Sequence, residues 1–366
     1  MADNKNQHFV PKAHLKFFSV RGEGKAVHLF NLDRKQIFRD APVKNQCSHN
    51  YFYGQDEKLE RAIQSVEEGY ARCVSCLHER RAPIDDLHSL FLRRFAYLQH
   101  LRTEAAAKRS AEFTFAFTDV RGADIERPTL KEAVRSGVII AMRHYAENMD
   151  IVDDLKIRIV RNNTPDPFIT SDDPAILANR WHQQDKRAQH RSFGIVSAGA
   201  VLFLPLSPTM LAILFDRDVY TTESDRGWIN VSNPADVAAC NYHQVLNCSA
   251  NLYFGEVNAT EYVRTTASAV AHLRPPKRFE IFTAIRDGGT DTHTRYRVTQ
   301  DPDLREHEEV FVHVKSVAPV PPKWPSFLKF RSGRSVFTND TGAGFRRRLT
   351  AVSNSWDSPP WRKVRG

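Results

Sequence analysis

The chain has 366 residues, of which 41% are hydrophobic and 26% charged, a balance that supplies a sizeable core and excludes disorder of the whole chain. It holds no run of about 18 apolar residues to span a bilayer, and residues 1–8 carry no apolar leader, so a cytoplasmic protein is expected. The net charge of +9 points to nucleic acid, but residues 321–366 hold ten basic residues against Asp340 and Asp357, which leaves +1 for residues 1–320.

In chain order, Pro11 sets the first turn of a short helix over residues 13–18. Residues 27–31 and 36–39 flank the polar stretch Leu32-Asp33-Arg34-Lys35 and read as a hairpin. Residues 56–150 are mostly helical. Apolar spacing at Leu59, Ile63, Val66, Tyr70, Val74 and Leu77 marks the first helix. Asp85 or Asp86 caps a second helix that runs to about residue 108, and Pro128-Thr129 opens a third that ends at residue 148. From residue 155 the period shifts to two, with strands over 156–160, 168–170, 200–205 and 210–216. The last two are almost continuously apolar, as strands buried on both faces are. The polar stretch 181–190 reads as a loop, 234–246 as a helix and 251–254 as a short extended end.

Pro275-Pro276 marks a boundary, after which residues 279–284, 295–298 and 310–317 suggest a small β extension. From residue 319 the Pro, Ser, Gly and Arg content predicts a largely disordered basic tail. The expected architecture is α+β: an N-terminal hairpin, a central helical block and a mixed sheet with a late helix. One core domain is expected over residues 1–272, the β extension over 273–320 and the tail over 321–366.

The common nucleotide-binding, zinc-protease and serine-hydrolase motifs are absent. Five cysteines, an odd number without a leader, read as free thiols. Cys73 and Cys76 lie inside a helical pattern with no second pair, which favours packing over zinc or redox chemistry. What remains is a set of polar residues in apolar settings: His8 before the first apolar run, Glu60 and Glu67 on one helix face, Gln99 and Arg102 after Phe95-Ala96-Tyr97-Leu98, and Asp172 at a strand end.

These residues carry a resemblance. Asn6-Gln7-His8-Phe9-Val10-Pro11, Tyr51-Phe52-Tyr53-Gly54, Leu59-Glu60 with Val66-Glu67, and Phe95-Ala96-Tyr97-Leu98-Gln99 with Arg102-Thr103 follow in order. Ile169-Thr170-Ser171-Asp172-Asp173-Pro174, Pro205-Leu206-Ser207-Pro208 and Asn241 complete the set. The chain so resembles the mostly bacterial family catalogued as domain of unknown function 4238, over roughly residues 6–255. The family brings no activity to carry over. At Asp173 the chain departs from the Asn the family often has, which makes Asp172 the preferred candidate.

Two physical readings follow. In one, His8, Glu60, Glu67 and Asp172 converge on a divalent metal, with Glu60, Glu67 and Asp172 as hard ligands for Mg²⁺ or Mn²⁺. Gln99 and Arg102 would then orient a phosphate for metal-assisted phosphodiester hydrolysis. Arg346, Arg347, Arg348, Arg362 and Lys363 would attract nucleic acid. That describes a metal-dependent nuclease or phosphodiesterase, in a toxin or phage-defence setting. In the other, the same residues form a buried polar network that pins the N-terminus to the helices. The protein is then a non-catalytic module that holds nucleic acid or protein through its tail. A glycosidase using Glu60 and Asp172 ranks last, because no sugar-stacking pattern accompanies them.

Overall fold

Strand β1 (Asn6–His8) leads into the single-turn helix α1 (Lys12–Lys16), with Pro11 at the N-cap position, where its missing N–H costs nothing. The expected hairpin forms from β2 (Ala26–Asn31) and β3 (Gln36–Pro42), and β4 (Ser48–Asn50) returns to pair antiparallel with β1. The structure is a computed structural model, and it describes residues 6–54, 56–80, 83–121, 128–189, 191–290, 293–299, 310–341, 343–352 and 360–366.

The helical block holds α2 (Glu57–Arg80), α3 (Asp86–Arg102), α4 (Glu104–Arg121) and α5 (Leu130–Asn148). Asp85 caps α3 by accepting from His88 N, and Thr129 with Glu132 makes a full capping box at α5. The helix expected to run on to residue 108 instead breaks at Thr103, whose backbone is extended. The Thr103 hydroxyl donates to Asp173 Oδ1 at 2.7 Å and accepts from Ala106 N at 3.1 Å. One residue thus ends α3, caps α4 and ties both to a distant strand end. Helices α2 and α3 approach closely at Gly69, where a Cβ would meet the Phe91 ring at 2.4 Å. Tyr70 and Phe95 stack face to face beside it at 3.5 Å.

Next come β5 (Lys156–Asn162), β6 (Thr170–Ser171), β7 (Ile176–Ala178), α6 (Arg180–Gln184), β8 (Val201–Ser207), β9 (Met210–Phe215), β10 (Tyr220–Thr221) and β11 (Trp228–Val231). The central sheet has the order β11-β5-β9-β8-β7, antiparallel except for the parallel β11–β5 pair. Every residue of β8 and β9 is buried, as their apolar runs predict. One face of the sheet, with Ile157, Ile159, Leu202 and Leu204, packs on α2, α3 and α5. The stretch 181–190, expected as a loop, instead begins with α6, because Trp181 is buried under the opposite face; His190 lies outside the described residues. Helix α7 (Pro234–Asn247), capped by Asn233, packs on that same face, and β12 (Asn251–Phe254) joins the sheet β3-β2-β12-β6. Helix α8 (Thr260–Val270) packs Val263, Ala267 and Val270 against Val245 and Leu246 of α7.

The β extension is present as an antiparallel sheet of β13 (Phe279–Thr290) between β14 (His293–Thr299) and β15 (Val310–Ser316). Residues 321–366 hold short elements, in keeping with their composition: β16 (Lys329–Phe330), β17 (Ser335–Thr338), β18 (Phe345–Arg346), α9 (Arg348–Val352) and β19 (Arg362–Arg365). Its described residues are nevertheless docked. Phe327, Leu328 and Val336 are buried against Phe203, Ile213 and Trp181 on the sheet face away from the helices. Strand β16 pairs with β10, and β17 pairs with both β18 and β19. The physical reason is that its aromatic and aliphatic residues fall together between the prolines and cover a sheet face that α7 leaves open. No helix among the described residues is long and apolar enough to cross a membrane.

Candidate functional site

One face of α2 presents Glu57, Glu60, Arg61, Gln64 and Glu67, the spacing of side chains stacked along three turns. With β1, α1 and Tyr53 it encloses a cleft of about 500 Å³ that also takes in His8 and Lys12. Gln7 fixes the wall in both directions: its Nε2 donates to Gly54 O at 3.1 Å and its Oε1 accepts from Tyr53 N at 2.7 Å. Tyr53 Oη donates to His8 O at 3.3 Å.

Behind the cleft runs a ladder. Gln99 Nε2 donates to Phe9 O at 2.8 Å, Arg102 Nε donates to Gln99 Oε1 at 3.0 Å, and Arg102 Nη1 donates to Glu67 Oε1 at 2.6 Å. The Arg102 side chain is wholly buried, and the Phe95 ring lies 5.8 Å from its guanidinium carbon. Burial works against the Arg102 charge, but Tyr53 and Glu67 carry its pKa above the usual arginine value. This part of the constellation is the polar network that pins the N-terminal strand to the helices.

The other part is open. His8 Nε2, Glu60 Oε2 and Arg102 Nη2 are buried, and none meets a hydrogen-bond partner in the protein. Burial, and then Lys12, lowers the His8 pKa, so the imidazole is neutral at pH 7. Buried polar atoms without partners are costly and uncommon, and the two in the cleft wall, on His8 and Glu60, favour a ligand; Arg102 stands behind that wall.

Asp172 is not brought to this cleft. Its carboxylate accepts from Ser249 N at 2.7 Å and from Ala250 N and Asn251 N, each at 2.9 Å, closing the turn between α7 and β12. Burial pushes its pKa up to about 6 against the pull of those three donors. With Asp172 committed to the turn and Glu67 to Arg102, His8 and Glu60 remain of the expected ligands. Among the described residues no group of three or more His, Cys, Asp or Glu is arranged to hold a metal ion. The donor set expected for Mg²⁺ or Mn²⁺ is therefore not assembled.

The five basic residues assigned to nucleic acid are mostly engaged within the protein. Arg347 is a correction: it is buried, paired with Asp154, and donates to Ile151 O and Ile195 O. Arg348 pairs with Asp218 at 3.0 Å and Arg362 with Asp340 at 2.8 Å. The Arg346 guanidinium lies over the Trp361 ring, while Lys363 is exposed on β19. Tyr53 and Gln7, which shape the cleft, were not among the expected site residues. The signal for them was their place inside the two motifs Asn6-Gln7-His8 and Tyr51-Phe52-Tyr53-Gly54.

Residues 6–257 match the family described as protein of unknown function (DUF4238). The chain belongs to this family. No curated protein and no solved structure matches it. The DUF4238 span holds the whole cleft, from Gln7 to Glu67, with Gln99 and Arg102 behind it. The β13–β15 sheet and the docked C-terminal segment lie outside the DUF4238 match.

Proposed function

We propose that the β1–α2 cleft is an acid–base site that cleaves a phosphodiester, with His8 and Glu60 at the reacting atoms. The observation that supports this is the pair of buried, unpartnered polar atoms on His8 and Glu60, both in the cleft wall. Glu60 orients the attacking hydroxyl or water, and neutral His8 takes its proton as the new P–O bond forms. The imidazolium then returns that proton to the leaving oxygen as the old P–O bond breaks. Lys12 and Arg61 in the cleft wall supply positive charge to the phosphate, and the buried Arg102 adds its charge from behind Glu67. Glu67 and Gln99 are positioning residues that fix the guanidinium. The steps are written without a metal, because the described residues of the cleft do not gather a metal's donor set.

The test is cleavage of end-labelled RNA and DNA oligonucleotides with chelator present, and again with Mg²⁺ or Mn²⁺ added. Chelator-resistant cleavage is expected, reduced about 100-fold or more in His8→Gln and Glu60→Gln, with thermal midpoints unchanged. Absence of cleavage in every condition, or variants as active as the parent, would refute the proposal.

A further inference from the structure

A second cavity, of about 340 Å³, opens between α3, α4, the end of α7 and the start of β13. It shares no lining residue with the first cleft. One end holds Arg109, Asp173 and Arg278. Arg109 Nη1 donates to Asp173 Oδ2 at 2.6 Å and Thr103 Oγ1 donates to Oδ1 at 2.7 Å, so both oxygens of that carboxylate are engaged. Arg278 donates to Leu246 O at 3.0 Å and makes no ion pair with a described carboxylate. Burial lowers its pKa to about 10, and the nearby Arg109 charge adds to the effect. Two guanidinium groups thus face one carboxylate. Much of the remaining wall is apolar, including Leu101, Leu177, Phe193 and Phe279. Tyr97 Oη is buried on that wall with no hydrogen-bond partner, a spare donor for a ligand.

We propose that this cavity binds a small organic carboxylate, its apolar body against Phe193 and Phe279 and its carboxylate on Arg109 and Arg278. The volume sits at the small end of ligand pockets, which run from about 300 to about 1,000 Å³. The surplus of one positive charge matches a monoanion rather than a polyphosphate. Planar guanidinium groups suit a carboxylate's paired oxygens, and a bound anion gives the half-buried Arg278 an ion partner. Arg278, Phe279 and the 316–319 wall lie outside the matched family span, so the segment beyond the family core completes the pocket.

The test is calorimetric titration of the full chain with two probes, 2-naphthoate and octanoate. At least one should bind at a single site. The Arg278→Gln variant should weaken that binding about tenfold or more, as should replacing the carboxylate by an alcohol on the same body. Leu177→Trp, which fills the cavity without touching its charge, should abolish binding, and it serves as the independent variant if Arg278→Gln lowers the thermal midpoint. The Glu60→Gln variant should bind like the parent. Failure of both probes to bind, or binding unchanged in Arg278→Gln and Leu177→Trp, overturns the proposal.

Discussion

His243 offers a clean test of how the sheet face beneath α7 is packed. Its ring stacks on Phe203 at 4.4 Å and meets Trp324 of the C-terminal segment edge-on at 4.8 Å, and Nε2 is buried without a partner. Burial alone lowers its pKa from 6.5 to about 3. The group is therefore neutral when folded, while the unfolded chain takes up a proton below 6.5, so its contribution to stability falls as pH drops from 6.5 toward 3. Each full pH unit in that window costs about 1.4 kcal/mol, and moving from about pH 7.5 to about pH 5 costs about 2 kcal/mol. Asp172 and Asp216, both raised to about 6 by burial, gain protons over the same range and act in the opposite direction. The wild-type curve alone would hide the effect. Comparison with His243→Phe removes that difficulty, because both carboxyls cancel and the ring stack is kept. Urea unfolding of the two proteins should show the variant gaining about 2 kcal/mol on the parent between about pH 7.5 and about pH 5. A difference that stays flat with pH would mean that the ring is reached by water and that Trp324 does not cover it.

Three further outcomes follow from the packing. In a double-mutant cycle, Glu67→Gln and Arg102→Leu should show a coupling of about 1.5–3 kcal/mol, since a charge-assisted bond to a wholly buried guanidinium joins them; additive effects would mean the pair is not formed. Gly69→Ala should lower stability by about 1–3 kcal/mol, because the new Cβ would overlap the Phe91 ring, and an unchanged thermal midpoint would place α2 and α3 farther apart than described. Leu328→Ala should cost about 2–5 kcal/mol, and removing residues 321–366 should broaden or lower the thermal transition; a truncated chain as stable as the parent would show that the segment does not cover the sheet.

Elements set by local rules were legible in the sequence. The apolar runs of β8 and β9 and the cap at Thr129 follow from period and short-range chemistry and formed as expected, and of the two candidates Asp85 and Asp86 it is Asp85 that caps α3. Features set by distant partners were not. The break at Thr103 depends on Asp173, seventy residues on, and the burial of Trp181 depends on the far side of a sheet not yet formed. The C-terminal segment reads as tail-like because its composition is Pro- and Arg-rich, yet Leu328 and Val336 find an uncovered apolar face. The cleft was half legible: Glu60 and Glu67 share a helix face and His8 precedes the first apolar run. Asp172 looked equal to them, but the three N–H donors that occupy it come from residues 249–251.

Helix α3 links these points. Its residues 95–99 are all buried, and it has no clear polar face. A helix buried all round is expected to be apolar all round, yet this one carries Gln99, His100 and Arg102 near its end. The two cavities account for the exception. Gln99 and Arg102, three apart, point toward the N-terminal strand and α2, where Phe9 O and Glu67 take their donors. Tyr97, His100 and Leu101 line the second cavity, and His100 Nδ1 bonds Ala175 O at 3.1 Å. Thr103 then stops the helix on Asp173, at the charged end of that same cavity. The polar residues at the end of α3 are thus divided between two sites on opposite sides of one element. A substitution at Arg102 should disturb the first cleft and one at Thr103 the second, although the two residues are neighbours in the chain.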